Sequence, residues 1–207
     1  RPGTSSAIAK HVMAGPVRVT RLGLEGDEQG DLRVHGGIDK AVHHYPFDHY
    51  AFWRGQLHGN DLLHQPGAFG ENLSTSGCTE DGVCVGDVVR IGSALLQVSQ
   101  GRQPCWKLND RFADLHVART MQHSGRTGWY YRVLEEGVIE AGQDVALVER
   151  AHPEWSVRRL AELLFNRTLD RALLEGASRL PLPPSWQRLI ALRIEKAEVE
   201  SWERGLG

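Results

Sequence analysis

Cysteine is scarce in this sequence, with three in 207 residues. The number is odd and no C-x-x-C pair occurs, which excludes a disulfide framework and a zinc knuckle and leaves at least one thiol free. No apolar run approaches the ~18 residues of a membrane span. No basic segment followed by an apolar stretch and a small-residue cleavage site opens the sequence, so the expectation is a soluble, cytoplasmic protein. The sequence begins at Arg1 rather than methionine, and a short preceding piece with room for a first strand is expected. Neither sign of charge dominates: 24 basic and 26 acidic residues leave a net charge of -2. That balance carries no footprint for a nucleic acid polymer or an anionic membrane, so any anionic ligand has to be met by a local cluster. Also missing are a P-loop, a G-x-G-x-x-G turn opening a βαβ unit, and a ferredoxin-type cysteine run. If the chain performs redox chemistry, its electrons come from a separate protein.

What is present suffices for one packed core, since 41% of the residues are hydrophobic, with room for a small appendage. Residues 17 to 150 are dominated by short runs of valine, leucine and isoleucine punctuated by glycine: 83 to 91, 94 to 99, 129 to 134 and 144 to 148. Gly92-Ser93 separates two of them by two residues, which predicts a hairpin. Many short strands joined in this way predict a mostly β fold, a closed or nearly closed barrel. Helical spacing over 46 to 57 and over 110 to 122 adds two flanking helices. After Arg150 the pattern becomes helical three times, with Ser156, Thr168 and Ser185 as caps. The expected organisation is a barrel domain over 1 to 150 and a three-helix module over 151 to 207.

Three stretches could carry chemistry. In HGGIDK, residues 35 to 40, Gly36 and Gly37 remove Cβ atoms so that backbone amides can approach an anion. Lys40 adds a point charge and His35 a directional hydrogen bond; a plain Gly-Gly turn with a solvated lysine is the alternative. In FGENLS, residues 69 to 74, the Asn72 carboxamide can donate and accept in one plane, as a heterocycle edge requires, or can simply hold its own loop. In SQGRQPCWKLN, residues 99 to 109, Cys105 follows a strand end on a loop stiffened by Pro104. Arg102 and Lys107 favour the thiolate, the form that attacks electrophiles or ligates soft metals. Cys84, inside a strand, reads as a packing residue and Cys78 as an intermediate case. His43, His44 and His49 lack zinc-ligand spacing.

The order of these pieces, together with GLEGDEQGD at 23 to 31, HGGIDKAVHHYP at 35 to 46 and VGD at 85 to 87, resembles the MOSC family, named for the C-terminal domain of molybdenum cofactor sulfurases, and within it the YiiM-like branch. The resemblance runs from about Gly15 to Val148, and the tail from His152 is similar to the three-helix module of that branch. It implies a β-barrel binding the molybdenum cofactor (molybdopterin), with Cys105 as the protein's ligand to the metal and the catalytic centre. It also implies that His35, Gly36, Gly37, Lys40, Asn72, Arg102 and Asn109 line the cofactor site. The implied activity is reduction of N-hydroxylated compounds, including 6-hydroxylaminopurine-type base analogues, amidoximes and hydroxylamines, to amines or amidines. Electrons would come from a separate flavoprotein or iron-sulfur reductase. Two other readings remain: a persulfide carrier using Cys105, and a non-catalytic carrier of the cofactor. A homodimer is the default assembly only because symmetric dimers are the commonest.

Overall fold

The structure, a computed structural model, describes residues 8–27 and 36–199. Val17–Thr20 (β1) and Gly23–Leu24 (β2) form a short hairpin, and a 3-10 turn over Ile38–Lys40 leads into Val42–His44 (β3). His49–Gln56 (α1) and a second 3-10 turn, Asp61–His64, precede Val88–Ile91 (β4) and Ala94–Gly101 (β5). Lys107–Phe112 (α2) and Val117–Ser124 (α3) make a helical hairpin before Trp129–Glu135 (β6), Gly137–Ile139 (β7) and Ala146–Glu149 (β8). Val157–Phe165 (α4), Arg171–Ala177 (α5) and Pro184–Lys196 (α6) complete the described chain. Among the described residues no helix is long and apolar enough to cross a membrane.

The strands form a three-stranded sheet ordered β2-β1-β7 and a five-stranded sheet ordered β3-β6-β5-β4-β8. The two meet at the turn between β4 and β5, where Ser93 exchanges backbone and side-chain hydrogen bonds with Val138 of β7. The mostly β reading needs correction: with 32% of the described residues in helix and 21% in strand this is a mixed sheet-and-helix fold, because long connections between strands are filled by helices. Among the described residues the pairings leave two open sheets rather than a closed cylinder.

Period-2 alternation sets the faces. In β6, Trp129, Tyr131 and Val133 are buried while Tyr130, Arg132 and Leu134 are half-buried on the other side, as a pleated strand requires. The inward set joins Val19, Ile139, Val89, Leu96, Val98 and Val157 in one core between the sheets. A second, aromatic cluster packs Tyr45, Tyr50, Trp53 and Phe69 against Leu108, Phe112, Val117 and Met121, and so fixes α1, α2 and α3 to the loop over 65 to 70. Burial of these large side chains, at roughly 25 cal/mol per Å² of apolar surface, dominates the stability of both clusters.

The three C-terminal helices share a third cluster, which includes Val85 of the sheet region. They are also stitched on by backbone bonds: Val85 N donates to Trp155 O (2.9 Å) and Val157 N to Val83 O (2.8 Å). Ser156 caps α4 as expected, accepting from Arg159 N (3.1 Å). For α5 the cap is Asp170 rather than Thr168, and α6 starts at Pro184 one residue ahead of Ser185; a proline in the first turn lacks an N–H that would go unpaired anyway.

Candidate functional site

The loop over 67 to 72 is built around a buried carboxylate. Glu71 is 4% exposed, accepts from the Gly67 and Phe69 amides at 2.8 and 3.0 Å, and accepts from the Tyr50 hydroxyl. This aims two carbonyls at the site. Phe69 O accepts from the Arg102 guanidinium at 2.7 Å, and Gly70 O accepts from His43 Nδ1 at 3.2 Å. Arg102 is itself anchored through its amide to Gly128 O at 3.0 Å. Arg102 is 6% exposed, and its guanidinium has no carboxylate partner among the described residues.

Lys40 closes the 3-10 turn that follows Gly36-Gly37, and its amide bonds Gly37 O at 2.9 Å. Gly37 has φ 97°, and a Cβ there would meet nothing within 4 Å. The turn is thus a bare backbone surface in a conformation that favours glycine. The Lys40 ammonium lies 6.0 Å from the centre of the Tyr130 ring. Burial lowers its pKa, opposed by the negative charges of Cys105 and Asp39. Burial raises the pKa of Tyr130, with Arg102 opposing and Cys105 reinforcing the shift. Cys105 is a free, half-buried thiol, and its carbonyl accepts from Leu108 N at 3.0 Å in the entry to α2. Cys105 is thereby within electrostatic reach of Lys40 and Tyr130, and Tyr130 is within reach of Arg102.

His43 pairs with Tyr130 across β3 and β6, with ring centres 4.9 Å apart. Since Gly70 O can only accept, Nδ1 carries the proton and Nε2 is a bare acceptor, buried with no partner in the structure. Burial above all, then Arg102, holds the ring neutral.

The carboxamide of Asn72 is committed on both sides: Oδ1 accepts from His43 N at 2.9 Å and Nδ2 donates to Asp27 at 2.8 Å, which in turn binds Lys10. Asn109 Oδ1 accepts from Ala118 N at 2.8 Å and caps the first turn of α3. Both asparagines therefore brace the walls of the site. His35 lies outside the described residues. Tyr130 was not singled out from the sequence, although the alternation in WYYRVL places it on the face opposite Trp129 and Tyr131. The other two thiols are elsewhere: Cys84 donates to Pro153 O (3.5 Å), and burial raises the pKa of both Cys78 and Cys84.

Among the described residues no three His, Cys, Asp or Glu side chains come together as a metal cage. A metal held at Cys105 would take one protein thiolate and its remaining donors from a ligand of its own. The residues present fit such a group, with a half-buried thiol, the half-buried Lys40, the buried Arg102, and open space at Gly37 for the anionic parts of the ligand.

Cys105 lies between the end of β5 and the start of α2. Residues 31–146 match the MOSC domain, and the chain belongs to that family. Residues 155–197 match the YiiM-like, 3-alpha helix domain, which places the chain in the YiiM-like branch. It is 41% identical to Protein YiiM of Escherichia coli (strain K12), over 99% of this chain and 91% of that one. The crystal structure of YiiM from Escherichia coli has the same fold, with a TM-score of 0.85 and 36% identity over 94% of this chain and 92% of that chain. A protein named Reductase from Gibberella moniliformis (strain M3125 / FGSC 7600) is 37% identical over 93% of this chain; the match spans 34% of that protein's length.

Proposed function

We propose that the chain binds the molybdenum cofactor and reduces N-hydroxylated compounds, hydroxylaminopurine-type base analogues and amidoximes among them, to amines or amidines. The convergence of Cys105 with Lys40 and Arg102 beside the Gly36-Gly37 turn is the observation that carries this reading. In this reading the two sheets are the walls of a MOSC-type barrel over residues 1–150, and residues 151–207 form its three-helix module. Membership of the family, and a relative whose name is Reductase, support the reaction type.

The bound cofactor would supply two-electron removal of oxygen from the N–OH group. Cys105 would hold the metal through its thiolate. Lys40, half-buried, and Arg102, buried, would neutralise the anionic ligand, and their partial removal from water would make that attraction stronger than in bulk solvent. The backbone at Gly37 admits close approach, and Tyr130 with His43 forms a wall that is neutral because burial holds the phenol protonated and the imidazole uncharged. Asn72 and Asn109 keep β3 and α3 in register behind those walls. The larger part of the fungal relative lies outside the match, which leaves room there for an electron-supplying region that this chain would obtain from a partner.

The test compares the unmodified chain with Cys105→Ser, both produced in a host that makes the cofactor. Molybdenum near one per chain and 6-hydroxylaminopurine reduction in the first, with both lost in the folded variant, is the expected outcome. No molybdenum in either, with a control enzyme loaded, overturns the reading, and a labile sulfur on Cys105 would then identify a persulfide carrier.

A further inference from the structure

The chain has four tyrosines, and three of them have a partner for the hydroxyl. Tyr45 Oη donates to Arg126 O at 3.1 Å, Tyr50 Oη donates to Glu71, and Tyr131 Oη shares a hydrogen bond with His44 Nδ1 at 3.1 Å. The Tyr130 hydroxyl bonds no described residue, and only burial, Arg102 and Cys105 act on it. Shielding a phenol O–H from water without giving it a partner is unfavourable. A hydroxyl left in that state is available to a ligand.

The fold fixes where this hydroxyl lies. On β6, Tyr130 stands opposite His43 of β3 and Gln100 of β5, and cross-strand partners share a face of the sheet. A register shift between Val98 and Gln100 sets Gln100 in that row in place of Ser99. The Ser99 hydroxyl lies 2.6 Å from Asp39 O and 3.0 Å from Tyr130 O, which ties the backbone of Tyr130 to the turn carrying Lys40. The Tyr130 ring packs on His43 with 4.9 Å between centres, yet the residue is only half-buried. In the same row the His43 ring proton is committed to Gly70 O, and Gln100 Nε2 donates to Gly101 O at 3.3 Å. The phenol O–H is uncommitted and lies within electrostatic reach of Cys105.

We propose that the Tyr130 hydroxyl recognises the N-hydroxyl group of the substrate, donating a hydrogen bond to its oxygen beside Cys105. This inference rests on the reductase reading above. In that reaction R–NHOH takes up two electrons from the reduced cofactor and two protons, the N–O bond breaks, and R–NH2 and water are released. Negative charge builds on the departing oxygen, so a donor fixed there binds the transition state more tightly than the substrate. The amine product has no such oxygen and loses the bond, which favours its release.

The test compares the cofactor-loaded protein with Tyr130→Phe, which keeps the ring and its packing on His43. Binding is measured by calorimetry on the oxidised protein, which has no electrons for turnover, using 6-hydroxylaminopurine and adenine, the same ring system without the hydroxyl. The expected result is about fivefold weaker binding of 6-hydroxylaminopurine to the variant, the size of one neutral hydrogen bond, with adenine binding unchanged. With dithionite as reductant, kcat for 6-hydroxylaminopurine should fall about a hundredfold, while molybdenum content and urea midpoint stay the same. Equal weakening of both ligands, no weakening of either, an unchanged kcat, or loss of molybdenum from the variant overturns the assignment. Failure of the loaded, unmodified chain to reduce 6-hydroxylaminopurine with dithionite instead overturns the reductase reading.

Discussion

Gly128 is a position beside the site that has no room for a side chain. It has φ +70°, and a Cβ there would lie 2.3 Å from His44 O and 3.3 Å from His43 Nε2, while its own carbonyl holds Arg102 and its amide donates to the buried Glu80 at 2.6 Å. Gly128→Ala therefore combines backbone strain with displacement of β3, and a loss on the order of 3 kcal/mol in urea-melt stability is expected, together with lower molybdenum content. An unchanged midpoint would show that the strand shifts freely. At this scale the sequence pointed to candidate residues but not to their supports. Cys105 and Arg102 could be picked out because a cation near a thiol has local meaning, and Lys40 because it follows a Gly-Gly turn. Glu71 and Glu80 could not, because a carboxylate's burial and its amide partners arise only from tertiary contact. Asn72 and Asn109 illustrate the same limit: their type suits a heterocycle edge, and only the fold reveals that their oxygens are taken by His43 N and Ala118 N.

Strand β3 places two histidines in opposite settings on a pleat, and one of them gives the sheet a pH dependence. His44 bonds Tyr131 Oη at 3.1 Å and Thr75 Oγ1 at 2.9 Å, and burial lowers its pKa from 6.5 to about 3. A histidine depressed in the folded state stabilises fully above its unfolded value and loses that contribution as pH falls from 6.5 to about 3. Stability should decline by about 1.4 kcal/mol per pH unit from this group once pH is well below 6.5, with His43 adding in the same direction. Urea midpoints measured from pH 8 to pH 4 check this, and His44→Asn should flatten the profile; a profile that is already flat in the unmodified chain contradicts it. Elements with strong local signals were legible. The Gly92-Ser93 hairpin formed with Ile91 opposite Ala94, and β6 fell within a residue of its expected bounds. The helix expected over 110 to 122 instead broke into α2 and α3, because the left-handed Ala113 and the Asp114 side chain offer the backbone an alternative that hydrophobic spacing alone cannot register.

At the scale of the molecule, the helices after residue 150 are not an independent appendage. Val157 sits in the core between the sheets, Val85 sits among the helices, and Arg132 of β6 reaches Pro181 O at 2.8 Å while also binding Asp39 beside Lys40. Arg158 grips the loop at Gly125, donating to Ser124 O at 3.1 Å. A chain ended at Arg150 should therefore keep strand content in far-ultraviolet circular dichroism yet bind a hydrophobic dye and lose near-ultraviolet signal, as an unsealed core does. A fragment with a sharp, cooperative melt would contradict that expectation. The change of texture after Arg150, and the need of three short helices for something to pack on, were visible in the sequence, but the seam was not, since Val83, Val85 and Val157 look like any other valines until the strand edge and the helix start are side by side. The interlock also bears on how the protein is made. A ribosome delivers the thiol loop and the sheets well before it delivers Val157, so the newborn chain spends the interval with its central seam unsealed. The cradle for any ligand then becomes firm only when the last quarter of the polypeptide has emerged.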